Sequence, residues 1–132
     1  MWETLTQIWL FLKDGRVVFE FPENTERDNT DFGRFVSTIK NFSKELSGTD
    51  LHSFNMEKCK YTCLSFMGEN LILVGRSRLE ISVKKIRKFF DIFVKMFKEL
   101  YKIEDILNWD GNKSIFEEFK KKLILYQKIS NL

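Results

Sequence analysis

The first apolar segment of the chain, "IWLFL", alternates between two faces and is apolar on both. Ile8, Leu10 and Leu12 point one way, whereas Trp9 and Phe11 point the other. A strand with two apolar faces must be covered on both. This pattern therefore predicts a strand inside a sheet that has helices on each side.

A tight turn follows this strand. Asp14-Gly15 is a strong hairpin signal, because both residues tolerate a positive φ angle. Residues 16–21 then alternate again, and Pro22 ends the run. The apolar residues that share one face of this second strand are Val17, Phe19 and Phe21. The hairpin is predicted to have an interior first strand and a second strand nearer an edge.

The middle of the chain changes from a helical period to a strand period. Apolar residues recur at helical spacing along one stripe until Gly48, which ends the helix. They are Phe32, Phe35, Val36, Ile39, Phe42 and Leu46. Residues 51–56, 58–66 and 70–75 then indicate three strands, of which the last is again apolar on both faces.

The chain is helical in pattern from Ser82 onward. One broad apolar face consists of Val83, Ile86, Phe89, Phe90, Phe93, Phe97 and Leu100. Ser114 and Glu117 are predicted to form a capping box before a last helix. That helix is predicted to bury Ile115, Phe116, Phe119 and Leu123. The element order is β-β-α-β-β-β-α-α, within one domain over residues 1–132.

The composition is typical of one folded domain with an aromatic core. The chain has 132 residues, of which 43% are hydrophobic and 14 are Phe. Its net charge of +3 lacks the basic excess of a dedicated nucleic-acid binder, so no nucleic-acid partner is expected. The N-terminal apolar run is short and follows no basic region, unlike a secretory signal or a membrane span. We therefore expect a cytoplasmic protein.

Few residues of the chain are candidates for catalysis, metal binding or disulfide formation. His52 is the single histidine and is interpreted as a polar residue on a half-exposed strand. Cys59 and Cys63 would share a strand face about 13 Å apart, at about 3.3 Å per residue, too far for a disulfide. The pattern favours burial of these thiols within the fold. The low number of cysteines is typical of a protein in a reducing compartment. The chain has no glycine-rich phosphate motif, and no pair of titratable groups stands out, so we expect no enzyme activity, no metal and no cofactor.

The element order resembles that of the longin-like domain, in the wider profilin-like and roadblock-like group. Four segments carry the resemblance over nearly the whole chain: "LKDGRVVFEF", "FGRFVSTIKNF", the strands ending in "NLILVG", and the helices from "SVKKIRKFFDIF". It implies an α/β (α+β) fold, with one helix on one face of a five-stranded antiparallel sheet and two C-terminal helices on the other. The first and last strands would be adjacent and central. The two C-terminal helices favour longin over roadblock.

The resemblance implies a class of function and assigns no residues. Longin-like domains act in membrane traffic and small-GTPase signalling. We expect a non-enzymatic interaction module, an adaptor or regulatory platform for a small GTPase or a vesicle-trafficking complex, with any GTP held by the partner. No fusion-type coiled coil or C-terminal lipidation cysteine is present, as in a stand-alone longin. Two alternatives stay open: a self-associating subunit, as a homodimer or with another longin or roadblock chain, and a profilin-like ligand binder.

Three surfaces are candidate sites. A basic patch, which is either a solvated helix face or a contact for an acidic membrane or partner, contains Arg76, Arg78, Lys84, Lys85, Arg87 and Lys88. A groove between the first helix and the third strand would be lined, unless these residues are core, by Ile39, Phe42, Leu51 and Phe54. The edge formed by the second strand could pair with a second copy through Val17 and Phe19.

Overall fold

In residues 4–22 and 29–130, which the computed structural model describes, five antiparallel strands form one sheet with helices on both faces. The elements are β1 (Gln7–Leu12), β2 (Val17–Phe21), α1 (Thr30–Ser47), β3 (Ser53–Met56), β4 (Cys59–Phe66), β5 (Leu71–Arg78), α2 (Val83–Leu100), α3 (Ile103–Leu107), a 3-10 turn (Lys113–Phe116) and α4 (Glu117–Ser130). The strand order across the sheet is β2-β1-β5-β4-β3. β1 and β5 are therefore central, and β2 and β3 are the edges.

β1 has the central position that its two apolar faces predict. It pairs with β2 on one side and with β5 on the other. Ile8 and Leu10 are buried in the cluster that contains α2 and α4, whereas Trp9 and Phe11 are buried in the cluster that contains α1. The α/β fold class, with one helix on one face and the C-terminal helices on the other, is confirmed.

Phenylalanine side chains fill the space between the sheet and the helices α2 and α4. The rings of Phe93 and Phe119 meet edge to face with their centroids 4.9 Å apart, and Phe19 stacks 6.1 Å from Phe93. Aromatic pairs in such geometries add about 0.5–1.5 kcal/mol each beyond the burial of their area. These contacts fix α2 and α4 on that face of the sheet.

The β1–β2 hairpin contains a bulge that shifts the predicted alternation. Leu10 pairs with Phe19, but Phe11 pairs with Val17, so Val18 is an extra residue in β2. Phe19 and Phe21 share the face that packs against α2, as predicted. The prediction for Val17 is wrong, because the extra residue turns its side chain toward α1.

The C-terminal region has more short elements than the sequence predicts. α3 and the 3-10 turn lie between α2 and α4, in place of a linker. The cap of the 3-10 turn is Asn112 rather than Ser114, because the Ser114 N–H donates to Oδ1 of Asn112 at 3.0 Å. Phe116 is buried as predicted, but Ile115 is exposed. Adjacent residues of a helical turn point in different directions, so the two cannot both reach the core.

Candidate interaction surface on α1 and β3

The apolar residues of α1 form two stripes, of which only one faces the sheet. The helix positions that are buried against the sheet are Gly33, Val36 and Lys40. The outer half of the apolar stripe therefore lies outside the core, and the alternative that Phe42 is a core residue is wrong. Phe35 is 42% exposed, Phe42 59% and Leu46 73%. A helix that packs one side against the sheet and exposes apolar side chains on another side offers a surface to a partner.

The close approach of α1 to the β1–β2 turn determines which side of α1 faces the sheet. Gly33 lies against the backbone of Gly15 and the ring of Phe11, and a Cβ atom at Gly33 would stand 2.9 Å from Cδ1 of Phe11. Once Gly33 points to the sheet, the helical period places residues 35, 39, 42 and 46 along one flank of the helix. That flank lies beside β3, because Phe35 contacts Phe54.

β3 is an edge strand that continues the apolar flank of α1. It pairs with β4, and within the described ranges no strand pairs with its other edge. The rings of Phe35 and Phe54 meet edge to face at 5.8 Å, and Phe54 stacks on Tyr61 at 5.1 Å. Leu51 is half buried against the same cluster. We call this surface the α1/β3 face; its residues are Phe35, Ile39, Phe42, Leu46, Leu51 and Phe54.

A partly buried ion pair joins α1 to the segment before β3. Nζ of Lys40 donates to Oδ1 of Asp50 at 2.7 Å, and the N–H of Leu51 donates to the same oxygen at 2.9 Å. Partial burial by itself would raise the pKa of Asp50, but the hydrogen bond and charge of Lys40, with the Leu51 amide, outweigh it and lower the pKa. The pair holds the two halves of the α1/β3 face in one position.

The six residues of the predicted basic patch do not share one face. The guanidinium of Arg76 lies 5.9 Å from the ring centroid of Trp9, on the α1 side of the sheet. Arg78 faces the same side, because it pairs with Cys59. The remaining four lie on α2, across the sheet: Lys84, Lys85, Arg87 and Lys88.

The β2 edge offers little side-chain surface. Phe19 is fully buried among the phenylalanines of α2 and α4. Val17 is half buried on the α1 side. Any partner of this edge would therefore be recognised mainly through the backbone groups of β2.

His52, Cys59 and Cys63 do not form a common chemical site. Nη2 of Arg87 lies 2.6 Å from Nδ1 of His52; because Arg has no acceptor, Arg87 is the donor and the ring proton is assigned to Nε2. Burial raises the pKa of Cys63 to about 12, so it is a thiol at neutral pH.

Residues 4–22 and 29–130 contain neither a metal-binding cluster nor a membrane-spanning helix. No group of three His, Cys, Asp or Glu side chains there could hold a metal ion. In the same ranges, no helix is both long enough and apolar enough to cross a bilayer.

The comparisons with known proteins identify the fold. The chain matches no protein-family model and no curated protein. Its structure is similar to that of Myxococcus xanthus MglB, with a TM-score of 0.53 and 18% identity, over 74% of this chain and 80% of that one. It is also similar to a roadblock/LC7 domain from Streptomyces avermitilis, with a TM-score of 0.47 and 14% identity, over 66% and 86%. The fold is longin/roadblock-like. The likeness to MglB confirms the expected fold class.

The residues of the α1/β3 face were only partly predictable. The sequence names Ile39, Phe42, Leu51 and Phe54 for a groove, but it gives Phe35 and Leu46 no role beyond the apolar stripe. The signal that points outward for them is Gly33, because glycine inside a helix costs about 1 kcal/mol unless a close contact requires it. A helix that approaches the sheet at Gly33 cannot also turn residues 42 and 46 inward.

Proposed function

We propose that the protein is a non-enzymatic interaction module of the small-GTPase-regulating or dimeric adaptor kind. It assembles through the α1/β3 face with a second subunit of longin/roadblock-like fold, which can be its own copy. The observation that supports this most directly is the exposure of Phe42 and Leu46 on a helix whose other side is packed in the core. Contiguous apolar surface of this kind marks interaction sites in soluble proteins.

The α1/β3 face offers two kinds of contact to one partner. The unpaired edge of β3 offers backbone N–H and C=O groups to an antiparallel strand. The flank of α1 offers apolar side chains. With a second copy, a twofold axis beside β3 would pair the two β3 strands and bring the two α1 flanks together.

The α1 residues supply most of the binding free energy in this arrangement. β3 has only four residues, so strand pairing alone contributes few hydrogen bonds, each worth about 0.5–1.5 kcal/mol net. Fully burying one Phe or Leu side chain contributes about 1.5–3 kcal/mol. Phe42 and Leu46 are therefore expected to dominate the interface.

A small GTPase is the partner that we propose for the assembled module, in signalling or in a vesicle-trafficking complex. The chain has no glycine-rich phosphate-binding motif, so the nucleotide would be held by that partner. The module would then act by surface complementarity, with its surface selecting one nucleotide state of the GTPase. The alternative is a structural subunit that assembles without any GTPase.

Light scattering coupled to gel filtration tests the assembly. The wild-type mass should approach twice the 15.9 kDa of one chain as the concentration rises. Leu46→Glu should shift the protein to the monomer, because an unpaired charge at an interface of this kind costs several kcal/mol. Leu107→Glu is the matched control, since Leu107 is also exposed (62%) but lies on α3. A wild-type mass that stays monomeric at every concentration would refute self-assembly.

Binding to purified small GTPases of the source organism tests the second partner. Each GTPase would be loaded with GDP or with a non-hydrolysable GTP analogue and passed over the immobilised protein. Retention of one GTPase in one nucleotide state supports the regulatory role. Equal retention in both states, or none, contradicts that role, and self-assembly in the first experiment would then identify a structural subunit.

A further inference from the structure

The outer sides of α2 and α4 are strongly basic. Both helices cover the face of the sheet opposite α1. The exposed lysines on these outer sides are Lys84, Lys85, Lys88, Lys95, Lys98, Lys121, Lys122 and Lys128. The exposed carboxylates beside them are Asp91, Glu99, Glu117 and Glu118. The excess of positive charge on this surface is larger than the net charge of +3 of the whole chain, so the rest of the chain is not basic.

Aliphatic side chains project from this basic surface, and two of them are more than half exposed. Leu125 is 58% exposed and Ile129 is 73% exposed, one helical turn apart on α4. The opposite side of α4 carries Phe119 and Leu123, which are buried in the core. Helical spacing surrounds the two aliphatic residues with Lys121, Lys122 and Lys128. We call this surface, the eight lysines with Leu125 and Ile129, the α2/α4 face.

We propose that the α2/α4 face docks on an anionic lipid bilayer. Leu125 and Ile129 would enter the boundary between headgroups and acyl chains, and the lysines would contact the anionic headgroups. An aliphatic centre with a lysine border is the pattern of a helix that lies in the plane of a membrane interface. Lysine suits this position because its methylene stem packs along apolar surface while its ammonium group reaches the headgroups.

The composition of this face favours lipid over an acidic protein. Protein interfaces are enriched in Tyr, Trp and Arg and depleted in Lys. The exposed cations on the outer sides of α2 and α4 are all lysines, and the exposed apolar residues among them are aliphatic. The α1/β3 face, by contrast, exposes the aromatic residues Phe35 and Phe42. The two faces of the sheet therefore have the chemistry of two different partners, and the lipid contact does not depend on the proposed assembly.

Co-sedimentation with phospholipid vesicles tests the proposal. The full chain would be mixed with vesicles of phosphatidylcholine alone, or with about one third phosphatidylserine. Binding should require phosphatidylserine and should fall strongly between about 0.15 M and about 0.5 M salt. Lys121→Ala/Lys122→Ala should weaken binding about 25-fold, since each lysine near an anionic surface is worth about fivefold. Leu125→Ser/Ile129→Ser should weaken it about tenfold or more.

The matched control removes the same charge from the other side of the protein. Lys13→Ala/Arg34→Ala changes two exposed cations near or on α1, and binding should stay within about twofold of wild type because charges beyond about 8 Å are screened at physiological salt. Equal losses in both charge variants would overturn the proposal in favour of general attraction by net charge. Unchanged binding of the Leu125→Ser/Ile129→Ser variant would overturn the insertion. No sedimentation with either vesicle would exclude lipid and leave an acidic protein as the occupant.

Discussion

Gly33→Ala is expected to destabilise the protein, although alanine is the better helix former. In an ordinary helix interior, this change gains about 1 kcal/mol. Here the new Cβ atom would overlap the carbonyl oxygen of Gly15 and stand 3.0 Å from its carbonyl carbon. Carbon atoms in contact normally lie about 3.5–4.0 Å apart. α1 and the β1–β2 turn would therefore have to separate.

The magnitude follows from two opposing terms. Overpacking in a tight contact costs about 1–3 kcal/mol and sometimes more, and backbone on backbone is the least adaptable case. Subtracting the gain of about 1 kcal/mol in helix propensity leaves an expected net loss of about 2 kcal/mol in the free energy of unfolding. Unfolding entropy is about 2.1 cal/mol/K per residue, so for 132 residues the melting temperature should fall by about 7 °C.

Thermal and urea unfolding measure this loss of stability. The protein concentration is held fixed, because assembly would make the melting temperature depend on it. Thr38→Ala is the control; Thr38 is an exposed position of the same helix, and the change should be neutral or stabilise by a few tenths of a kcal/mol. A Gly33→Ala protein that is more stable than wild type would show that α1 does not approach the turn this closely. Since α1 carries the α1/β3 face, the variant should also assemble more weakly.

The remaining predictions concern the α1 side of the sheet. Asp50→Asn leaves Lys40 buried without its charged partner and should cost about 1–2 kcal/mol at neutral pH, below the value for a fully buried pair because Asp50 is 35% exposed. The lowered pKa of Asp50 means that its contribution is complete above the unfolded pKa and is lost as the pH falls through the folded pKa. Urea melts should therefore show the difference closing as the pH falls below about 3.8. Iodoacetamide at pH 8 should modify Cys59 well before Cys63, whose pKa is raised to about 12 by burial; equal rates by mass spectrometry would contradict this.

The central strands were predictable because their signal is local. Period-two alternation with apolar residues on both faces, as in Trp9 and Leu10, is satisfied only between two covered faces, whatever the rest of the chain does. The central position of β5 follows from the same requirement, whereas its pairing with β1 is what the resemblance to the longin-like domain implies. The absence of a phosphate-binding glycine motif was likewise readable from residue types alone.

The candidate surfaces were less predictable because they depend on contacts between distant residues. Arg78 and Lys84 are close in sequence, but β5 directs one toward α1 and the chain then crosses to the other face for the next helix. Val17 has the alternation of a residue that faces α2, and a single extra residue in β2 reverses it. No pattern within either segment contains this information.

The sequence by itself determined the element types, the central strands and the aromatic core, because apolar period and turn chemistry act over a few residues. Only the tertiary structure decided which side of each helix is covered. The backbone contact of Gly33 with Gly15 turns Phe42 and Leu46 outward, and the packing of Phe119 turns Leu125 outward. A helix has more apolar residues than one contact can bury, and long-range packing selects which of them remain for partners.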